Sequence, residues 1–481
     1  MPDNALPRPS EPVDRAPIRA LLVCVCAGLV VRTLLWKFAG VTGLQSDEAN
    51  YLHLAVQWKE LGFYPDNYRY LWPPGYAAYL RWCIEWFGQD ALHAARIGQI
   101  LASSSIGITT GLLTWRAFGS RAAILAAASW ALYLPLAAFT HLLWNETLFL
   151  ALFLPAVYLT VACLQDSRPA HADRRLLGAG LCLGLALFIK EAAIYLVPVL
   201  GLLILTSRVP FKEGLRRASL LLGTTAVCLL PWGLRNHEVY GKFIPTGSSL
   251  GENAFNGLNA PYRNFDLIPL ATKLQRDKQP PLTTRDAWTA PPAHAESWIR
   301  AEEHLSLPAR LSENTARGIA FAKAHPAWLV RSRIQKLADA LVPTSFFTRH
   351  LALGHYSGPI ARNPLRSWIA WAFGLQTAAL LALGGAGLLT CLKPGPTRRL
   401  FWTVVLYFGA TTLLVSMSRF RIPVLPLFLA GFGALLTQPP RSMGARLRIL
   451  PWFALLAFAW WLNAPVLSDV WRLVVAADPA S

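Results

Sequence analysis

Charged residues in this chain come in short clusters, and between the clusters lie long stretches without one Asp, Glu, Lys or Arg. Uncharged runs cover 97–115, 122–145, 147–165, 218–234, 367–392, 400–418, 422–440 and 449–468. A helix crossing a bilayer core about 30 Å thick needs roughly 20 apolar residues at about 1.5 Å each. Each run therefore predicts a membrane-spanning helix. Another run, around 20–36, contains Arg32 and so reads as a weaker span, though a long side chain near one end can snorkel. Two shorter runs, 176–189 and 192–207, flank Lys190-Glu191 and bring the expected crossings to about eleven. No internal repeat is visible.

Short cytoplasmic loops collect Lys and Arg, which orients the spans. With the N-terminus inside, the inner loops hold Arg116/Arg121, Arg168/Arg174/Arg175, Arg208/Lys212/Arg216/Arg217, Lys393/Arg398/Arg399 and Arg441/Arg446/Arg448. The outer connections are then 41–90, 139–146, Lys190-Glu191, 235–365 and Arg419–Arg421, and an odd number of spans leaves the C-terminus outside. The expected organisation is a cytoplasmic tail (1–19), an N-terminal transmembrane module (20–234) carrying the outer loop 41–90, and a periplasmic or outer domain (235–365). C-terminal transmembrane helices (366–468) and an outer tail (469–481) complete it. The outer domain is expected to be mixed. Gly, Asn and Pro, with Pro280-Pro281 and Pro291-Pro292, give irregular loops first. A basic amphipathic helical stretch then covers about 297–341 and suits a membrane surface.

Composition sharpens this picture. The chain has 45 Lys+Arg against 26 Asp+Glu, a net charge of +19, yet only 15% of its 481 residues are charged and 54% are hydrophobic. Charges confined between apolar runs exclude a soluble nucleic-acid binder, a disordered chain and a secreted disulfide scaffold. The first span lacks an Ala-x-Ala-like cleavage site and is expected to remain attached. Six of the seven cysteines fall in or beside spans, and the ten histidines show no metal-ligand spacing. Arg outnumbers Lys, and Ala and Leu are abundant, which fits a GC-rich bacterial genome and a bacterial inner (plasma) membrane.

Ionisable residues at membrane depth are costly and mark candidate sites. The arms 176–189 and 192–207 amount to roughly 21 and 24 Å of helix. Both fall short of a crossing, so Lys190-Glu191 is expected at a recessed hairpin tip, either as a site or as a salt bridge closing the turn. Glu146 starts a span, where its carboxylate either meets the helix dipole or contacts a substrate. The densest chemistry lies in Asp47-Glu48-Ala49-Asn50-Tyr51-Leu52-His53. Adjacent helical residues point about 100° apart. Asp47 and Glu48 therefore cannot share one reacting atom: one serves as a base and the other holds a partner. Arg419 and Arg421 stand i, i+2 before Pro423, a spacing that lets both reach one anion only outside regular helix.

Taken together, these segments resemble the GT-C glycosyltransferases, in the branch of dolichyl-phosphate-mannose protein mannosyltransferases and the lipid A aminoarabinose transferase. Asp47-Glu48 with Tyr51 and Ala55, then Pro73-Pro74-Gly75-Tyr76, resembles that family's first outer loop. Glu146-Thr147-Leu148-Phe149 resembles the start of its fourth span, and Gly184-Leu185-Ala186-Leu187-Phe188-Ile189-Lys190-Glu191 its Arg-Pro-Glu-like turn. Pro231-Trp232-Gly233-Leu234-Arg235-Asn236, Gly241, Gly251-x-Asn253 and Gly257-x-Asn259 resemble its entry to the outer domain. His325-Pro326 and Arg419-Phe420-Arg421-x-Pro423-x-x-Pro426 complete the set. Lys190 stands where arginine is usual, and Gly75 where bulkier residues are frequent.

The resemblance implies an all-α polytopic membrane protein that transfers a sugar from a polyprenyl-phosphate donor, on the outer face, to a glycan, lipid or protein hydroxyl. Asp47 is the expected base, with Glu48 beside it. A single base favours one displacement with inversion. Lys190, Arg235, Arg419 and Arg421 are expected at the donor phosphate, and Tyr51, His53, Glu146, Glu191 and Asn236 around the substrates. No cofactor or metal is expected: Asp47, Glu48 and Glu146 could hold a divalent ion, but the cations serve the phosphate. No cytoplasmic Gly-rich loop offers a nucleotide cradle. A transporter or flippase of lipid-linked glycans is the alternative, which predicts repeat halves and no need for Asp47.

Overall fold

The computed structural model describes residues 16–41, 43–44, 47–65, 71–166, 169–207, 209–247, 258, 305–414 and 418–476. Gly251, Asn253, Gly257, Asn259, Pro280-Pro281, Pro291-Pro292 and residues 297–304 lie outside them, as does most of the N-terminal tail.

Every regular element among these residues is a helix, apart from one isolated bridge between Val41 and Tyr356. In order come α1 (Ile18–Ala39), α2 (Asp47–Leu61), α3 (Gly75–Phe87), α4 (Ala91–Phe118), α5 (Ser120–Leu132), α6 (Leu134–Ala138), α7 (Glu146–Gln165), α8 (Pro169–Ile189), α9 (Leu196–Leu205) and α10 (Phe211–Tyr240). The later helices are Leu307–Ala324, Pro326–Ala340, Phe346–Leu353, Leu365–Cys391, Pro396–Thr412, Leu425–Thr437, Met443–Leu447 and Leu450–Ala476. Each of the eleven apolar stretches contains helical residues, and 122–145 holds two helices and the irregular segment 139–145. Among the described residues, seven helical stretches are long and apolar enough to cross a membrane, and Ser120–Leu132 and Glu191–Leu205 are shorter apolar ones.

α1 shows why these helices need lipid. It buries Leu21, Val25, Gly28, Arg32, Leu35 and Ala39, a seam spaced by alternating fours and threes. Its other face carries Leu22, Val23, Val30 and Leu34, all exposed. Water would not accept that face; lipid tails do. The core runs through α4, α5, α7, α8 and Leu425–Thr437, where Trp130, Phe149, Phe153, Leu183 and Leu427 are almost fully buried.

Two expectations change here. Arg32 does not snorkel: it is fully buried, stacked 3.8 Å over Trp130, and donates to the carbonyls of Gly28 and Trp130. The chain kinks between α5 and α6, before Pro135, and the guanidinium supplies the break with a donor. The amphipathic stretch is two helices, Leu307–Ala324 and Pro326–Ala340, divided at His325. Pro326 lacks an N–H and pushes the preceding residue out of the helical region.

Candidate active site

Four connections meet at one end of the helices and enclose a cavity of about 230 Å³. They are the start of α2, the entry to α7, the turn between α8 and α9, and the 3-10 turn Ser418–Val424. The basic-loop pattern assigns all four to one side of the membrane.

Local structure aims each side chain. α2 opens at Asp47, which faces the cavity; Glu48, a hundred degrees round the helix, is fully buried and accepts the Leu143 N–H at 2.6 Å. α7 opens at Glu146, so its carboxylate sits at the positive end of the helix dipole. At Lys190 the backbone leaves α8 for an extended conformation (φ −153°, ψ 125°) before the 3-10 turn Glu191–Ala193. Extended neighbours point to opposite sides. Lys190 therefore pairs with Glu146, Nζ to Oε1 2.5 Å, rather than with Glu191. Two glycines admit this turn. A Cβ on Gly75 would stand 2.7 Å from the Phe188 carbonyl oxygen, and one on Gly247 would overlap the Glu191 carboxylate. The small residue at 75 thus lets the first outer loop press against the end of α8.

Arg419 bridges the Asp47 and Glu146 carboxylates. Its Nη1 donates to Asp47 Oδ2 at 2.6 Å, and its Nε lies 3.8 Å from Glu146 Oε1. Trp144 faces the guanidinium, 4.8 Å from its ring centre. Asp47, Arg419, Glu146 and Lys190 thus form a row of alternating charge. Asn145 extends it, accepting from Lys190 at 3.3 Å and donating to the Tyr51 hydroxyl at 2.7 Å. Burial, then the Asp47 and Glu146 carboxylates, raise Tyr51 well above the ordinary tyrosine range, so it keeps its proton. Glu191, Trp72 and Pro73 also line the cavity, and its apolar wall comes from Phe149, Ile194, Tyr407, Phe408 and Leu414.

Other expected residues stand elsewhere. Arg421 is buried and donates to the carbonyls of Ala340 (3.1 Å), Val342 (2.6 Å) and Thr344, so it ties the turn to the segment 340–344 rather than facing the cavity. Arg235 donates to Tyr64 O at 2.9 Å and to Asn236 Oδ1 at 3.0 Å, and Asn236 donates to Ile244 O. His53 is exposed on α2, away from the lining. Among the described residues no group of three or more His, Cys, Asp and Glu side chains is arranged to hold a metal ion.

One residue that the charge pattern does not single out supports the whole arrangement. The segment 139–145 lacks regular structure, so its peptide groups need partners inside the protein. Gln99, fully buried on α4, donates to Thr140 O at 3.1 Å and Leu142 O at 2.7 Å, and accepts from Tyr76 at 2.9 Å. Arg96 donates to His141 O at 3.0 Å. Gln99→Leu strands these groups without partners and is expected to cost about 2–4 kcal/mol, read as a lowered melting temperature in detergent.

Residues 72–233, about a third of the chain, match the family model described as dolichyl-phosphate-mannose-protein mannosyltransferase. Comparison with curated proteins finds no match. Among solved structures, the fold is similar to the apo oligosaccharyltransferase of Archaeoglobus fulgidus, with a TM-score of 0.50 and 12% identity over 95% of this chain. The chain spans 55% of that protein's length. AglB of the same organism, in complex with an inhibitory peptide and a dolichol-phosphate, gives 0.47 at 13% identity, with 95% of this chain and 55% of that one covered. ArnT from Cupriavidus metallidurans, bound to undecaprenyl phosphate, gives 0.41 at 16%, covering 87% and 78%. The family match over 72–233 and the similar fold agree with the resemblance read from the motifs: this is a multi-pass membrane protein with a GT-C-like helical fold.

Proposed function

We propose that the protein is a membrane glycosyltransferase that moves a sugar from a polyprenyl-phosphate donor to an acceptor hydroxyl on the outer face of a bacterial inner membrane. The observation that carries this reading is the meeting of Asp47, Arg419, Glu146 and Lys190 in one cavity with an apolar wall. A lipid phosphate reaches such a place through the bilayer, its isoprenoid tail lying along Ile194, Phe408 and Leu414. The acceptor oxygen attacks the anomeric carbon and its proton passes to Asp47. The bond from that carbon to the phosphate oxygen breaks, and polyprenyl phosphate leaves with the electron pair. Arg419 and Lys190 hold the phosphate charge as it develops. One base and one displacement invert the anomeric centre. Arg421, Arg235 and Asn236 act through structure, and His53 lies outside the site.

Purified protein given a labelled polyprenyl-phosphate sugar is expected to release polyprenyl phosphate only when acceptor is present. Movement of the intact lipid-linked sugar across a vesicle, without release, would instead establish a flippase. Because two cations stand where the phosphate charge develops, EDTA is expected to leave the transfer rate unchanged.

A further inference from the structure

The roles just given to Asp47 and Arg419 conflict in the structure, since each is already engaged by the other. Asp47 Oδ2 accepts from Arg419 Nη1 at 2.6 Å, which commits that oxygen to the guanidinium and places a carboxylate on the cation meant for phosphate. Glu146 is the better-held of the two carboxylates. Its side chain is 4% exposed and lies between Lys190 and Arg419, whereas Asp47 is 24% exposed and reaches Arg419 from the open side. Arg419 Nε is buried and makes no hydrogen bond, with Glu146 Oε1 3.8 Å away. A guanidinium offers a planar fork that suits two oxygens of one anion. A phosphate seated there would face Asp47 at short range, and like charges in a partly dehydrated cavity repel.

We propose that Asp47 occupies the donor-phosphate position on Arg419 in the unliganded protein, and that the arriving phosphate displaces it and thereby frees the base. This rests on the glycosyltransferase reading. It makes one ion pair serve as the order of binding. With no donor bound, Asp47 is held and an acceptor hydroxyl finds no free base. Donor phosphate takes Arg419, Asp47 turns to the acceptor, and transfer follows. Lys190 stays with Glu146 throughout and forms the second, fixed part of the phosphate site.

Binding of undecaprenyl phosphate to the full-length protein in detergent tests this without catalysis. Asp47→Asn removes the competing charge and is expected to bind the lipid about tenfold tighter than the unmodified protein. Asp47→Ala is expected to do the same, which separates the charge from any effect of the amide. Arg419→Gln should bind more weakly, and Asp47→Asn should then bring no gain when added to it. Size-exclusion profile and melting temperature show that each variant is folded. Equal or weaker binding by folded Asp47→Asn and Asp47→Ala, with the unmodified protein binding well, would overturn the displacement. Failure of the unmodified protein to bind the lipid at all would overturn the donor reading itself, and this inference with it.

Discussion

Asp47→Asn is expected to lower sugar transfer by about 10²–10⁴-fold, the usual contribution of a positioned general base. Helix geometry is the reason for choosing this carboxylate. α2 begins at Asp47, and the first turn of a helix can present only one of two adjacent side chains to a given point. Asp47 takes the cavity and Glu48 takes the core, where it holds the Leu143 N–H. Asparagine keeps the shape and one acceptor oxygen but takes no proton at neutral pH. The loss is expected in kcat, because the donor phosphate is bound by Arg419 and Lys190. Glu48→Gln is the control. Its amide oxygen can accept the same backbone bond, so transfer is expected to stay within about tenfold of the unmodified rate. Initial rates of polyprenyl phosphate release from a labelled donor decide the matter. Full transfer by Asp47→Asn would remove Asp47 as the base.

The two carboxylates also show how much of the site is legible in the amino-acid sequence. Their divergence follows from 100° per residue, and the basic loops lead one to expect all four connections at one end of the helices. Direction along a helix and side of the membrane are both encoded locally. Partner choice is less readable. The spacing of Arg419 and Arg421 allows a shared anion only outside regular helix, and the segment is indeed a 3-10 turn. At three residues per turn, positions i and i+2 point about 120° apart. One arginine therefore reaches the cavity while the other finds three carbonyls at 340–344. Lys190 and Glu191 look like a pair because they are neighbours, but the extended backbone at Lys190 separates them and hands Lys190 to a residue 44 positions away.

Gln99 escapes the charge pattern for a different reason. Between its bounding charges the run 97–115 looks featureless, because an amide carries no charge to mark it. The signal present is an uncharged but strongly hydrogen-bonding side chain deep in an apolar helix, where an unsatisfied amide is costly. The Thr140 and Leu142 carbonyls that it serves belong to a break between helices, and such a break must borrow donors from its neighbours.

Glu146→Ala is expected to be the most damaging substitution for the fold and for transfer together. Lys190 is 14% exposed and Glu146 only 4%, so their ion pair is largely cut off from water. Removing one partner of such a pair typically costs about 3–5 kcal/mol, because the remaining charge stays buried. Loss of a carboxylate at the start of α7 adds about 0.3–1 kcal/mol through the helix dipole. Lys190 would retain Asn145 Oδ1 at 3.3 Å, a neutral acceptor that does not balance its charge. Stability and catalysis should separate in the double variant Glu146→Gln/Lys190→Met. Replacing a buried pair with uncharged groups of similar volume is often nearly neutral for folding, so melting temperature should recover. Transfer should not recover, since the fixed cation of the phosphate site is gone. Thermal unfolding in detergent, read beside the rate of polyprenyl phosphate release, distinguishes the outcomes. If the double variant regained both, Lys190 would be a structural counter-ion to Glu146, and the phosphate would rest on Arg419 alone.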